Sequence, residues 1–182
     1  MKLAQFIRSS IEAILDEWEA HARQLASARE LDGVALRNHV RGMLGEIAGY
    51  VERSGTPVDS GARSMVESHA AHHGAVRLAQ GFTVNDAVAE FRALRSAVLV
   101  RWTDREECSD AAEEITRFNE AIDQAVSDSL ARYSALRDYQ SRLFDALLSS
   151  SPDLAFIIDP AGRLIYANRA FAKHMRVEAD QL

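Results

Sequence analysis

Three histidines within five residues are the group of side chains in this sequence most suggestive of a binding site. On a helix, His69, His72 and His73 fall within about 100° of one another. His69 and His73 have the i,i+4 spacing at which two imidazoles can reach one metal ion, and His21 is a candidate third ligand. The segment lacks the glutamate of the HExxH motif, and no cysteine completes a zinc site. We therefore favour hydrogen-bonded histidines at a helix interface. A metal or haem site and a mainly exposed cluster are the alternatives.

The other reactive side chains do not indicate catalysis. Cys108 is the sole cysteine and lies beside Glu106 and Glu107, which disfavour a reactive thiolate. A single cysteine also excludes an internal disulfide framework and fits a reducing cytoplasm. Glu90 and Arg95 can be interpreted as a solvated ion pair on one helix, which would contribute little stability. We find no credible catalytic residue.

The composition excludes several functional classes. The 182 residues are 47% hydrophobic and 26% charged, as in an ordinary soluble globular protein with one full domain and part of another. The net charge of −6 disfavours general binding to nucleic acid or anionic lipid. No apolar stretch approaches the ~18 residues of a membrane-spanning helix, and the N-terminus has no secretory signal. We therefore expect a cytoplasmic protein with no membrane or nucleic-acid partner.

Four helices are predicted in the first 107 residues because apolar residues recur at intervals of three and four. The first two carry separate apolar stripes: Ile7, Ile11, Ile14, Trp18 and Leu25, then Leu36, Val40, Met43, Ile47 and Tyr50. The third is expected to start at Asp59 or Ser60 and to end at Gln80. The fourth follows a capping box at residues 83–86 and continues to Trp102. We expect Trp18 and Trp102 to be core anchors.

The junction between the third and fourth helices carries a specific prediction. Gly81 should adopt a left-handed backbone conformation, because glycine is favoured just past a helix end. Phe82 should then be the first buried contact of the corner.

A long connector helix is predicted over residues 109–148, which contain no glycine or proline. Its apolar residues repeat near the 3.5-residue spacing of a coiled coil, with a phase shift near Ala125 and Val126. We therefore expect a parallel homodimer joined through this segment. The predicted interface residues are Ile115, Phe118, Ile122, Val126, Leu130, Tyr133, Leu143 and Leu147.

After residue 149 the pattern changes from helix to strand. Apolar runs at 154–158 and 164–167 flank a turn at Asp159–Gly162, which predicts a β-hairpin. A short helix should then begin at Asn168 and end near His174.

Two stretches resemble known families. The segments LFDALL, SPD, FIID, GR and IYANRAF between residues 143 and 171 resemble the opening of a PAS domain, although His174 and its neighbours replace the usual Gly-Tyr pair. The segments HGAVRLAQGF at 73–82 and EFRALR at 90–95 resemble the N-terminal sensory domain of RsbR-type stressosome proteins, which also occurs in sensor histidine kinases.

These resemblances imply a fold and a domain organisation. The expected fold is an all-α sensory domain (1–107), either a helical bundle or globin-like without haem. A connector helix (108–148) and the α+β start of an incomplete PAS domain (149–182) follow. The resemblance also implies the alternative that His73, Arg77, Glu90 and Arg95 meet between helices three and four. The candidate sensory cluster is His69, His72, His73, Arg77, Glu90 and Arg95.

The implied function is signal input to a sensor histidine kinase, with kinase domains of the same chain and a response regulator as partners. No phosphoacceptor box or ATP lid is present, so these residues are not themselves an enzyme. A stressosome-like scaffold or co-antagonist, and a haem- or metal-based sensor, are the alternatives. We expect no cofactor in this fragment, and the ligand of a complete PAS domain is unknown.

Overall fold

The computed structural model describes residues 1–25, 33–53, 68–103 and 111–176. The chain divides into two compact units, Met1–Leu136 and Arg137–Leu182. Their elements, in chain order, are α1 (Leu3–Ser9), α2 (Ile11–Ala22), α3 (Gly33–Glu52), α4 (His69–Ala79), α5 (Val84–Thr103), α6 (Ala111–Ser150), β1 (Phe156–Ile158), β2 (Leu164–Ala167) and α7 (Arg169–Met175). The first unit is thus all-α, as predicted, and the hairpin begins an α+β unit.

The core of the first unit is built from one face of each of α1, α2, α3 and α5. Trp18 and Trp102 are both buried in it, as expected of core anchors. Phe6 packs against Trp102 with the ring centroids 5.3 Å apart. The N-terminal half of α6 completes this core with Phe118 and Ile122, which are fully buried. Burial of such large apolar side chains is the main force that holds these helices together.

One helix boundary differs from prediction, and the predicted start of another helix lies outside the described residues. The first predicted helix is two helices, because Ser10 leaves the helical conformation (φ −111°, ψ 14°) and the Ser9 hydroxyl donates to the Phe6 carbonyl. The third begins at His69, where the Ser68 side chain accepts a hydrogen bond from the Ala71 amide and caps the helix. The start predicted at residues 59–60, the boundary at 107/108 and Cys108 lie outside the described residues.

The corner between α4 and α5 confirms the prediction made for it. Gly81 has φ +77°, and Phe82 is 2% exposed. The Phe82 amide donates to the Arg77 carbonyl and the Gly81 amide to the Leu78 carbonyl, which is the pairing of a Schellman motif. Thr83 and Asp86 then form the capping box of α5, each side chain bonded to the other residue's amide. Local sequence therefore fixes both the end of one helix and the start of the next.

α6 is a continuous helix of 40 residues, close to the predicted bounds of the connector. Its side chains are buried or half-buried at intervals up to Leu136 and mostly exposed from Arg137 onward. No helix among the described residues is both long and apolar enough to cross a membrane.

The second unit is organised by the side chain of Asn168, which is 1% exposed. Its Nδ2 donates to the carbonyls of Leu148 and Asp153, and its Oδ1 accepts from the amides of Ala155 and Phe171. One amide group thus ties the end of α6 to the hairpin and caps α7. β1 and β2 pair antiparallel, and Gly162 has a positive φ of 81° in the turn between them, so the predicted hairpin is confirmed.

Candidate functional site

The first unit contains a buried charge cluster, formed by His73 and Arg77 on α4 and Glu90 on α5. Arg77 Nε and Nη2 donate to the two carboxylate oxygens of Glu90 at 2.7 and 2.9 Å. His73 Nε2 lies 3.0 Å from Glu90 Oε2. All three side chains are at most 2% exposed. His73 and Arg77 are one helical turn apart, so α4 presents both to the same point on α5.

Neighbouring groups complete the hydrogen bonding of the buried charge cluster. His73 Nδ1 lies 3.2 Å from the hydroxyl of Ser129 on α6. Arg77 Nη1 donates to Gln80 at 2.7 Å, and the guanidinium lies 4.8 Å from the ring centroid of Phe82. The Trp18 indole donates to the backbone carbonyl of Glu90. Buried charges are tolerated only when they are paired and hydrogen-bonded in this way.

The electrostatics favour an ionised Glu90 and a neutral His73. Burial alone raises the pKa of Glu90, but the hydrogen bonds from His73 and Arg77 outweigh it, and the pKa is lowered overall. Burial lowers the pKa of His73; Glu90 opposes this shift and the positive charge of Arg77 adds to it. The negative charge of the Glu90 carboxylate and the positive charge of the Arg77 guanidinium then cancel. In this state His73 Nε2 carries the proton, and the Ser129 hydroxyl donates to Nδ1.

The order Ser129–His73–Glu90 follows the hydrogen-bonded order of a hydrolase triad, but the site cannot act as one. Ser129 is 0% exposed, so its hydroxyl is out of reach of a substrate. The space that adjoins the cluster has no room even for a water molecule, so it cannot hold a small ligand, whose pockets begin at about 300 Å³. That space is lined by Trp18, Val40, Met43, His73, Glu90, Phe91 and Leu94. The arrangement suits a structural or transmitting role.

The remaining predicted site residues do not join the cluster. Arg95 pairs with Asp123 on α6, so the expectation that it meets Glu90 is wrong. His69 is exposed and bonds to Glu46. His72 is exposed and stacks on His39 at 4.6 Å between ring centroids. Burial, and then the charges of His39 and His69, lower the pKa of His72.

The metal hypothesis finds no support in the described residues. His21, the candidate third ligand, is exposed rather than part of the apolar stripe. Within the described ranges no three His, Cys, Asp or Glu side chains are placed to hold a metal ion.

Sequence reasoning missed three groups that bind the cluster or its corner. Gln80 is three residues from Arg77, a spacing that local periodicity could have indicated. Ser129 and Tyr133 come from 56 and 51 residues away from their partners, and no local signal marks them. The Tyr133 phenol donates to the Phe82 carbonyl at 2.7 Å.

The predicted dimer interface requires a correction in its N-terminal half. Phe118, Ile122 and Tyr133 are at most 6% exposed because they pack within their own chain, so they offer no surface to a second copy. Ile115 and Val126 are partly buried against the same core. Beyond Leu136 the helix carries exposed apolar side chains: Tyr139, Leu143, Phe144 and Leu147, which are 47 to 62% exposed.

Two family models match successive parts of the chain. The family model of the RsbT co-antagonist protein rsbRD N-terminal domain matches residues 7–148. The chain belongs to the RsbRD N-terminal domain family. A PAS fold matches residues 148–182, so both resemblances noted in the sequence are confirmed. No curated protein and no solved structure matches the chain.

The family membership determines the general function. An RsbRD N-terminal domain followed by a PAS fold is a signalling input region of the RsbR type, and neither part is catalytic. The two family matches meet at residue 148, inside α6. The helix is therefore the physical link between the two parts of this input region.

Proposed function

We propose that this input region belongs to a sensor histidine kinase and passes its signal through a parallel dimer of α6 to the PAS and output domains. The observation that carries the proposal is the continuity of α6 from the sensory core to the PAS start. A helix without glycine or proline is stiff, so a displacement at one end is transmitted to the other.

Both ends of α6 are anchored in a way that supports this relay. At one end Phe118 and Ile122 are buried in the core of the first unit. At the other end the Leu148 carbonyl accepts a hydrogen bond from Asn168, which also holds the hairpin and caps α7. A change in the position of α6 would therefore displace the first residues of the PAS fold.

The dimer is supported by the exposed part of α6. Leu136, Tyr139, Leu143 and Leu147 are spaced by three and four residues and form one apolar stripe. Leu136 is half-buried and the other three are exposed; we refer to these four residues as the exposed seam. Apolar seams of this spacing are buried by pairing with a second helix. The parallel orientation places two sensory domains on one side and two output modules on the other.

The second candidate function is that of a stressosome-like scaffold or co-antagonist, which the description of the matching family favours. The full reading frame that contains this chain separates the two candidates. A phosphoacceptor helix and an ATP-binding domain after the PAS domain would support the kinase, and phosphohistidine should form when that protein is incubated with ATP. A STAS domain in that place would overturn the kinase proposal in favour of the co-antagonist.

A further inference from the structure

α6 has two polar anchors in the first unit, and they are one helical turn apart. The Ser129 hydroxyl lies 3.2 Å from His73 Nδ1, and the Tyr133 hydroxyl lies 2.7 Å from the Phe82 carbonyl oxygen. Residues four apart lie on the same face of a helix, so both anchors face α4 and the corner that follows it. They are the last buried side chains of α6 before the exposed seam.

The Phe82 carbonyl accepts its hydrogen bond from the Tyr133 hydroxyl, because no helical amide is in place to donate one. Phe82 lies between the Schellman end of α4, which uses the carbonyls of Arg77 and Leu78, and the first helical bond of α5, which uses the carbonyl of Thr83. Its own carbonyl therefore lies outside both helical ladders. A buried carbonyl without a donor costs free energy comparable to a lost hydrogen bond. Tyr133 supplies that donor from α6.

α4 and α6 touch through their backbones beside these anchors. A methyl group at Gly74 would lie 2.0 Å from the carbonyl oxygen of Ser129, well inside contact distance. Only glycine therefore permits this approach of the two helices. The approach also places His73, the residue before Gly74 on α4, within reach of Ser129.

We propose that the contacts of Ser129 with His73 and Gly74 and of Tyr133 with Phe82 form a latch that fixes the position of α6 along α4. The buried charge cluster holds His73 in place for the latch through Glu90. When the latch opens, the middle of α6 at residues 126–136 detaches while the apolar core around Phe118 and Ile122 stays packed. Ser129 and Tyr133 are positioning residues. The inference rests on the proposed function only in taking α6 as the element that carries the signal.

Hydrogen exchange of the whole chain, read by mass spectrometry, tests the latch. Tyr133→Phe removes one hydroxyl and leaves the ring. Tyr50→Phe is the matched control, because it also removes a tyrosine hydroxyl bonded to α6, but that bond, to Glu120 at 3.3 Å, is exposed. Loss of a buried hydrogen bond should accelerate amide exchange of residues 126–136 about tenfold in Tyr133→Phe. Peptides from α2 and α3 should be unchanged in Tyr133→Phe, and Tyr50→Phe should match the wild type over residues 126–136.

Two results would overturn the latch. One is unchanged exchange of residues 126–136 in Tyr133→Phe. The other is an equal acceleration over the whole first unit, which would make the bond an ordinary contribution to global stability.

Ser129→Ala gives an independent test of the second anchor. It should accelerate exchange in the same peptides. Combining it with His73→Gln should accelerate exchange by less than the two single effects together, since the contact between Ser129 and His73 is lost in each. An additive effect would show that His73 does not act through Ser129.

These measurements separate the latch from the dimer. A monomer with this exchange pattern would retain the latch and disprove the dimer of the proposed function. A dimer without this exchange pattern would support the dimer of the proposed function and disprove the latch.

Discussion

Replacing Arg77 with methionine should be among the most damaging single changes to the first unit. Arg77 makes two hydrogen bonds to Glu90 and one to Gln80, and it lies over the ring of Phe82. Methionine keeps most of the side-chain volume but leaves the Glu90 carboxylate buried with His73 as its remaining side-chain partner. Breaking a buried ion pair in this way costs about 3–5 kcal/mol, a large share of the ~5–15 kcal/mol that stabilises a domain.

The matched control is Arg95→Met on α5. Its ion pair with Asp123 is solvated, with side-chain exposures of 35% and 69%, so its loss should cost at most about 1 kcal/mol. The double variant Arg77→Met with Glu90→Met removes both charges and leaves mainly the His73 donor without an acceptor, at about 1–3 kcal/mol. The double variant should therefore be more stable than Arg77→Met alone.

The pH dependence of Arg77→Met provides a second check. Without the Arg77 charge, the pKa of His73 should rise beside Glu90, and the two should form an ion pair once His73 is protonated. Stability gained this way is present below the raised pKa and lost above it. The deficit of Arg77→Met should thus shrink between about pH 7.5 and about pH 5.5.

Urea unfolding followed by circular dichroism measures all of these free energies of unfolding. The reasoning would be refuted if Arg77→Met cost no more than Arg95→Met, or if the double variant were less stable than Arg77→Met.

Three further predictions follow from the fold and the cluster. The wild type should become less stable as the pH drops below 6.5, because the lowered pKa of His73 makes the unfolded chain bind more protons than the folded chain. A second loss of stability should follow below 4.5, because the pKa of Glu90 is also lowered in the folded chain. His73→Gln should flatten the first decline in a pH series of melts. Gly81→Val should lower the free energy of unfolding by more than about 1 kcal/mol, because Gly81 has a positive φ. Gly45→Ala on α3, where an added methyl group meets no other atom, should raise the free energy of unfolding by up to about 1 kcal/mol. Equal effects of the two variants in thermal melts would contradict this reasoning. The purified protein should contain no stoichiometric zinc and show no Soret band; metal analysis or an absorption spectrum that found either would restore the metal or haem hypothesis.

The features predictable from sequence are those encoded within a few residues. The glycine-terminated α4, the capping box of α5 and the hairpin turn were all predicted because their partners lie at most five residues apart. The contacts of Ser129 and Tyr133 were not, because they depend on how α6 packs against α4. Adjacent His72 and His73 illustrate the same limit, since one is exposed and the other is buried.

The apolar stripe of α6 shows why pattern alone misassigned the interface. A repeat near 3.5 residues indicates that a helix face is covered, but the same repeat results whether the cover is a second chain or the chain's own core. Phe118 and Ile122 are covered by their own core. The exposed seam has the same type of residue without that cover, and this distinction needs the structure.

The mass of the chain in solution tests the proposed dimeric relay most directly. Light scattering at micromolar concentration should report twice 20.1 kDa. Leu143→Glu with Leu147→Glu should give monomers with an intact first unit, because both side chains are exposed beyond its core. Ser134→Glu with Asp138→Glu, on exposed positions of the same helix, is the control and should stay dimeric. A monomeric wild type, or a dimer that persists in the Leu143 and Leu147 variant, would contradict the account.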